Sequence, residues 1–520
     1  MREQLALLPE YLTDHLQLTL LALLLGSIVS VPIGIWSTRR RRLGAAVLVV
    51  AGVIQTIPSL ALLAVMVPLL AWLGALASGA GIEIRSIGFL PAIVGLTLYS
   101  ILPILQNTII GINGVDPALR EAARGVGMTD RQQLWRVELP LAMPVIVGGI
   151  RTSTVWVVGI ATLSTPVGAS SLGNYIFSGL QTRNFKAVLV GCASAAGLAI
   201  GLDTLVRALE TGIRQRRPQL TAGAAGILGV LTLYAAASFG MGAAAGDRPV
   251  LIGAKTFTEQ YVLGEILATH VRRETGRSAK VVPSLGSTVA FDALRANDID
   301  AYVDYSGTIW ATIMKRTGIP PDRSEVLEEV GRYLKREHGI TLVGALGFEN
   351  AYALAMRADR ARQLGADSLS RLAVHARSLE IAGDYEFFSR PEWAALERVY
   401  GFAFRARRSM DPTLMYQAVA ESQVDVISAF TTDGRIAAYH LAILEDDRHA
   451  IPPYDAIILV GPRLARERPE ALAALRELSG SIQPEEMRRM NSAVDREGRS
   501  PGEVARDFLD RLPGSRRTGS

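Results

Sequence analysis

The strongest constraint on the fold is Leu16 to Trp36, a stretch with no charged residue that is followed almost at once by Arg39, Arg40, Arg41 and Arg42. Roughly 20 apolar residues cross the hydrocarbon core of a bilayer, so the stretch reads as a membrane span. Four arginines tight against one end place that end in the cytoplasm and the N-terminus outside. A cleaved signal peptide carries its charge before the apolar stretch, which this segment does not.

Further spans follow. Leu43 to about Leu73 is too long for one straight helix and too short for two, and Pro58 and Pro68 predict a tilted or broken span. Gly88 to Gly111 is the third. A fourth runs from Pro144 to Val167, with Arg151 near enough to the inner end to snorkel. Ala187 to about Leu202 is the fifth and Leu220 to Ala245 the sixth. If the long run crosses once, Ile112 to Pro140 returns to the cytoplasm, in agreement with its Arg120, Arg124, Arg131 and Arg136. Two crossings would put those arginines outside, and that count is rejected. The sixth span then delivers everything after it to the outer side.

The overall 49% hydrophobic content hides a change at about Gly246, beyond which charged residues occur at ordinary globular density. The net charge of +5 comes largely from arginine clusters beside apolar segments, which are topology signals and not a nucleic-acid surface. The single cysteine, Cys192, lies in an apolar run and excludes a disulfide framework. The six histidines show no HExxH or comparable metal spacing, and no GxSxG elbow occurs, so catalysis and a metal centre are not expected. Asp433, Asp446 and Asp447 fit caps or turns, while Tyr302 and Tyr416 are expected to pack in the core.

The cytoplasmic loop, DPALREAARGVGMTDRQQLWRVELPLAMPVIVGGIR from Asp116, has the sharpest local pattern. Glu121, Ala122 and Ala123 are followed by Gly127 and closed by Leu139 and Pro140. Small residues allow close approach of another backbone, Gly127 permits a turn between two short helices, and Pro140 is expected to end the second helix before the membrane. This spacing resembles the coupling loop of importer-type ABC permeases, which docks into a groove of an ATPase subunit. No GxxxxGK[ST] stretch occurs in the chain, so ATP and Mg are expected on a separate partner and no cofactor on this chain.

From Arg248, short apolar strands alternate with helical stretches: VLIGA, then Glu259 to Arg273; AKVVPSL, then Val289 to Ala296; AYVDYSG, then Ile309 to Arg316. The rhythm predicts parallel sheets covered by helices. The length exceeds a typical single core, which predicts two lobes. Crossovers are expected near Leu342 to Phe348 and near Ile451 to Ile457, enclosing a middle lobe of about Gly347 to Ala450. Ligands of such open sheets sit at strand ends, here in the cleft between lobes.

In order and spacing, IGAKTFTEQ, DIDAYVDYSGT, NAYALAM, MDPTLMYQAV, AFTTDGRIAAY and LEDDRHAIPPYDA resemble the binding proteins of glycine betaine, choline and carnitine importers. QTIPSLALL and LYSILPILQNT resemble the permeases of the same systems. The chain thus resembles a fused permease and binding protein of the quaternary-amine uptake family. The resemblance implies a multi-domain chain: an all-α, MetI-like transmembrane permease of about six spans, then a bilobed α/β type II periplasmic-binding-protein domain. The expected boundaries are 1–217 for the permease with its coupling loop at 112–140, 218–247 for the sixth helix and linker, 248–515 for the binding domain and 516–520 for a tail.

The resemblance also implies a role, osmoprotectant uptake across the bacterial cytoplasmic membrane with the C-terminal domain on the outer side. It implies a homodimer of this chain in the lipid bilayer with a cytoplasmic ATPase. Ergothioneine is the alternative cargo, and a solute receptor a more distant reading. By motif match, Tyr305, Tyr352, Phe430 and Tyr454 would form an aromatic cage for a trimethylammonium group, which has no N–H to donate and is attracted by ring faces. Lys255 and Thr308 would be polar contacts for the ligand's tail. A lysine there suits a carboxylate better than a hydroxyl, unless it caps a local carboxylate such as Glu259. Phe430 stands where the family usually has a tyrosine, which keeps the ring and removes a hydroxyl.

Overall fold

The computed structural model describes residues 2–77, 84–182, 184–244, 248–316 and 323–512. The expected tail, 516–520, and the end of the expected linker, 245–247, lie outside the described residues. The main division of the chain into two compact units falls at Arg248 and Pro249.

The first unit is helical: α1 (Arg2–Arg39), α2 (Arg41–Thr56), α3 (Ser59–Ala77), α4 (Phe89–Asn113), α5 (Pro117–Gly125), α6 (Asp130–Gln133), α7 (Leu139–Ala161), α8 (Gly173–Gln181), α9 (Phe185–Arg214) and α10 (Pro218–Ala244). Among the described residues, five helices are long and apolar enough to cross a membrane, and α2 with α3 forms one further pair bent by 100°. The bend has a local cause. Ile57 precedes Pro58, whose ring disfavours helical geometry at the residue before it, and Ile57 is extended with φ −69° and ψ 128°. Arg151, expected to snorkel, is instead met within the bundle by Asp203 on α9, through two hydrogen bonds of 2.7 and 3.2 Å.

The segment 112–140 forms an elbow. Asp116 caps α5 by accepting from the Ala118 amide at 2.9 Å, Gly127 takes the left-handed conformation at φ +80°, and Thr129 with Gln132 makes a capping box on α6. One expectation is corrected here. Pro140 does not end the helix: α6 passes through a π-turn, Leu134–Glu138, straight into α7, and Pro140 is in the first turn of α7. A π-turn shifts the carbonyl that the proline ring would otherwise strike, so the helix continues.

The second unit contains β1 (Val250–Lys255), β2 (Ala279–Leu285), β3 (Ala301–Tyr305), β4 (Thr341–Glu349), β5 (Tyr352–Arg357), β6 (Glu380–Gly383), β7 (Ala406–Ser409), β8 (Val426–Phe430), β9 (Leu441–Leu444) and β10 (Asp455–Val460). They form two five-stranded sheets, ordered β2-β1-β3-β10-β4 and β7-β6-β8-β5-β9. Helices α11 (Thr258–Thr275) and α12 (Ser287–Arg295) follow β1 and β2.

The sheets are mixed, not parallel as expected. β1 and β3 run parallel, whereas β10 is antiparallel to both β3 and β4. In the other sheet, β5 is antiparallel to β8 and β9, while β6 runs parallel to β7 and β8. The reason is the connectivity. The chain leaves the first lobe at the end of β4 and returns at the start of β10 on the same sheet edge, so β10 must run the other way.

Candidate functional site

The strand directions bring the ends of β1, β3 and β4 and the start of β10 to one edge of the first sheet. The start of β5 and the end of β8 form the matching edge of the second. Each expected ring is on one of these edges. Tyr305 closes β3 opposite Ala456, and Tyr352 opens β5 opposite Phe430. Tyr454 immediately precedes β10, and its ring lies against Gly307, where a Cβ would come within 2.6 Å of it. Only glycine permits that approach.

The rings form one cluster. The Tyr352 centroid is 4.6 Å from that of Phe430 and 6.2 Å from that of Tyr454. Phe257, which the sequence reading missed, stacks at 6.2 Å on Tyr305 and at 6.1 Å on Phe430 and so joins the two lobes. Tyr305, Tyr352 and Tyr454 are buried and Phe430 is half-buried. Burial raises the phenols of all three tyrosines and keeps them protonated. Thr308 is buried in the single turn that follows β3.

Lys255 is paired within the chain. Its ammonium is bonded to Asp304, both side chains are buried, and it stands 5.5 Å from the Tyr305 ring centroid. Asp304 also accepts the Tyr302 hydroxyl at 2.5 Å and the Tyr305 amide at 2.7 Å. The expected alternative partner, Glu259, is held differently. It is buried at the start of α11 and accepts the Tyr305 hydroxyl at 2.6 Å, the Asn350 amide at 2.9 Å, the Asn491 amide at 3.2 Å and the Thr432 hydroxyl.

A second pair was also missed. Arg390 donates to Glu392 at 3.1 and 3.2 Å and lies 5.1 Å over the Tyr352 ring, and Glu392 accepts the Tyr454 hydroxyl. The pair locks two rings of the cluster into fixed positions. They stand at the start of the helix Pro391–Tyr400, Arg390 just before it and Glu392 in its first turn, where no motif would single them out. Tyr302 and Tyr416 are fully buried. Asp433 and Asp446 serve turns, accepting the Arg435 amide at 2.9 Å and the Ala450 amide at 3.0 Å.

On the elbow, Ala123 and Leu139 are buried, while Glu121, Ala122, Gly127 and Pro140 are exposed. Val126 and Trp135 present apolar side chains at 74% and 63% exposure. The buried Glu138 ties the elbow together: it pairs with Arg39 at the end of α1 (3.2 Å) and Arg120 on α5 (3.3 Å), and accepts Gln133 at 2.8 Å.

Comparison with known proteins agrees with this division. Residues 248–511 match the family of the substrate binding domain of ABC-type glycine betaine transport systems, and residues 30–215 match the binding-protein-dependent transport system inner membrane component. The chain is 29% identical over 497 residues to the ergothioneine transport permease/ergothioneine binding protein EgtU of Helicobacter pylori (strain G27), covering 93% of this chain and 87% of that protein. It is 42% identical to the glycine betaine/carnitine/choline transport system permease protein OpuCB of Bacillus subtilis (strain 168) over 197 residues, 38% of this chain and 84% of that one. Against the carnitine transport binding protein OpuCC of Listeria monocytogenes serotype 1/2a (strain 10403S) it is 29% identical over 276 residues, 52% of this chain and 89% of that one. The chain therefore belongs to the glycine betaine-type ABC substrate-binding family and carries that domain behind a membrane permease, as a transporter subunit in a single polypeptide.

Proposed function

We propose that this chain is the permease and ligand-capturing subunit of an ATP-driven importer for quaternary-ammonium solutes such as glycine betaine, carnitine or choline. The observation that carries the reading is the cluster of Tyr305, Tyr352, Phe430 and Tyr454 at facing edges of two sheets. A trimethylammonium group offers no hydrogen bond, and each ring face attracts it by roughly 0.5–2 kcal/mol. The second lobe swings on the crossovers 349–352 and 444–455 and closes the rings around the ligand. Thr308 lies within this region as a polar contact.

The elbow around Glu121, Ala122, Ala123 and Gly127 is the docking point for a cytoplasmic ATPase that holds ATP and Mg. Its exposed Val126 and Trp135 suit an apolar groove. One chain offers one elbow, and such ATPases act in pairs, so the working unit is a homodimer in the bacterial cytoplasmic membrane with its binding domains on the outer side. A second reading, ergothioneine as cargo, is favoured by the relative that matches along both halves.

Calorimetric titration of the detergent-solubilised full chain with glycine betaine, carnitine, choline and ergothioneine tests the proposal. One of them is expected to bind, with Tyr352→Ala weakening it by roughly tenfold, the worth of one strong ring contact. Absence of binding by all four rejects the quaternary-ammonium assignment.

A further inference from the structure

Three ion pairs, one fully and two partly buried, adjoin the aromatic cluster, and each cancels its own charge. Lys255 pairs with Asp304, Arg390 with Glu392, and Arg435 with Asp433. Glu259 is different. It is 3% exposed, and its four partners are all neutral: a phenol, two amides and a hydroxyl. No arginine, lysine or histidine among the described residues forms an ion pair with it. Four donors satisfy the oxygens of a carboxylate but bring no positive charge, so an ionised Glu259 leaves one uncompensated negative charge in a low-dielectric interior.

Its position shows what could compensate that charge. One partner, Tyr305, is a ring of the proposed cage and receives its hydroxyl alignment from Glu259. The others come from the crossover after β4 (Asn350), the turn after β8 (Thr432) and the helix Pro484–Asp495 (Asn491). One carboxyl thus bonds both lobes and a cage ring at once.

We infer that Glu259 is the counter-charge of the bound quaternary ammonium, acting through the Tyr305 ring whose hydroxyl it holds, so that ligand capture and ionisation of this carboxyl are coupled. The inference rests on the quaternary-ammonium reading above. A phenol hydrogen-bonded to a carboxylate has a more electron-rich ring, which strengthens its attraction for a cation. Burial favours the protonated form of Glu259 in the empty site, and the incoming cation favours the ionised form. Binding therefore releases a proton, and affinity falls as the medium is acidified.

Other charged groups around α11 do not substitute for it. Lys255 on β1 and Asp304 on β3 are committed to each other, and Asp433 and Arg435 after β8 likewise. Asp495 on the helix Pro484–Asp495 accepts the Thr258 hydroxyl at 2.6 Å. Farther along α11, His270 faces Glu477 and Arg273 faces Asp510.

The test is titration of the full chain with whichever of glycine betaine, carnitine, choline and ergothioneine binds, in buffers of different ionisation enthalpy and across the acid range. Wild-type protein is expected to release a fraction of a proton per ligand and to lose affinity on acidification, tenfold for each unit by which the ligand lowers the Glu259 pKa. Glu259→Gln is expected to bind more weakly and without proton release. Thr432→Val, which removes one donor to the ionised carboxyl, should shift the acid loss of affinity to higher pH, and it provides a readout should the glutamine variant fail to fold. Binding with no linked proton in wild type, or linkage unchanged in both variants, overturns the role of Glu259 while leaving the transport reading in place. No binding by wild type overturns both.

Discussion

Lys255 stands four residues before Glu259, a spacing that pairs side chains on a helix. Here it does not, because Lys255 ends β1 and Glu259 lies in the first turn of α11. The lysine reaches across to Asp304 on the neighbouring strand, a partner that only the sheet order reveals. The clustering of the three tyrosines was legible because each is embedded in a recognisable motif, whereas Phe257, Arg390 and Glu392 become neighbours of those rings only through the fold. Lys255→Met leaves Asp304 buried without its cation and is expected to cost about 3–5 kcal/mol of stability, read as a lower unfolding midpoint in the full chain. A loss below about 1 kcal/mol would mean that the buried pair contributes little net stability to the fold. Glu259 gives a second prediction with a definite sign. Burial lifts its pKa above the ordinary value of 4.5, so between those two values the folded chain holds a proton that the unfolded chain does not. That contribution to stability is complete below 4.5 and is lost as pH rises through the raised value. The stability of wild type relative to Glu259→Gln should therefore fall with rising pH just above the ordinary carboxyl range, in urea melts, while ligand affinity grows over the same range. A difference that stays flat with pH would show that the native state does not alter the proton affinity of Glu259.

At the scale of elements, apolar runs and strand-helix rhythm revealed where the segments are but not which way the strands run, because side-chain periodicity is the same in both directions. β10 reads from its sequence like any buried strand, and its reversal follows from a return path hundreds of residues from the first strand of its sheet. The elbow shows the same limit. Its small residues and Gly127 were legible, but the π-turn that carries the helix past Pro140 was not, since a proline after a short helix ordinarily marks a stop. Glu138 closes that π-turn and joins three elements, α1 through Arg39, α5 through Arg120 and α6 through Gln133. Glu138→Gln keeps the size and removes the charge that holds both arginines. Tryptic cleavage at Arg124 and Arg131 is expected to quicken several-fold, roughly the effect of losing 1 kcal/mol of local stability. Equal cleavage rates would show that α5 is held by its apolar contacts alone, through Ala123.

On the scale of the whole molecule, two relatives match the halves separately, one a permease and one a binding protein, while a third matches along both. Fusion adds no ligand contact. On the proposed transport reading, a tether supplies an effective concentration of roughly millimolar, set by the length of the connecting segment. The segment between Ala244 and Arg248 joins the units, and a protease site placed there separates that effect from every other property of the chain. In liposomes that also carry the ATPase, cutting and washing is expected to lower uptake by tenfold or more, while ligand affinity of the released half stays unchanged. Adding that half back should restore uptake only as its concentration approaches the millimolar range that the tether supplied. Full uptake after washing would mean that the two halves bind each other tightly without the link, and the fusion would then serve equal production of the parts instead of their proximity.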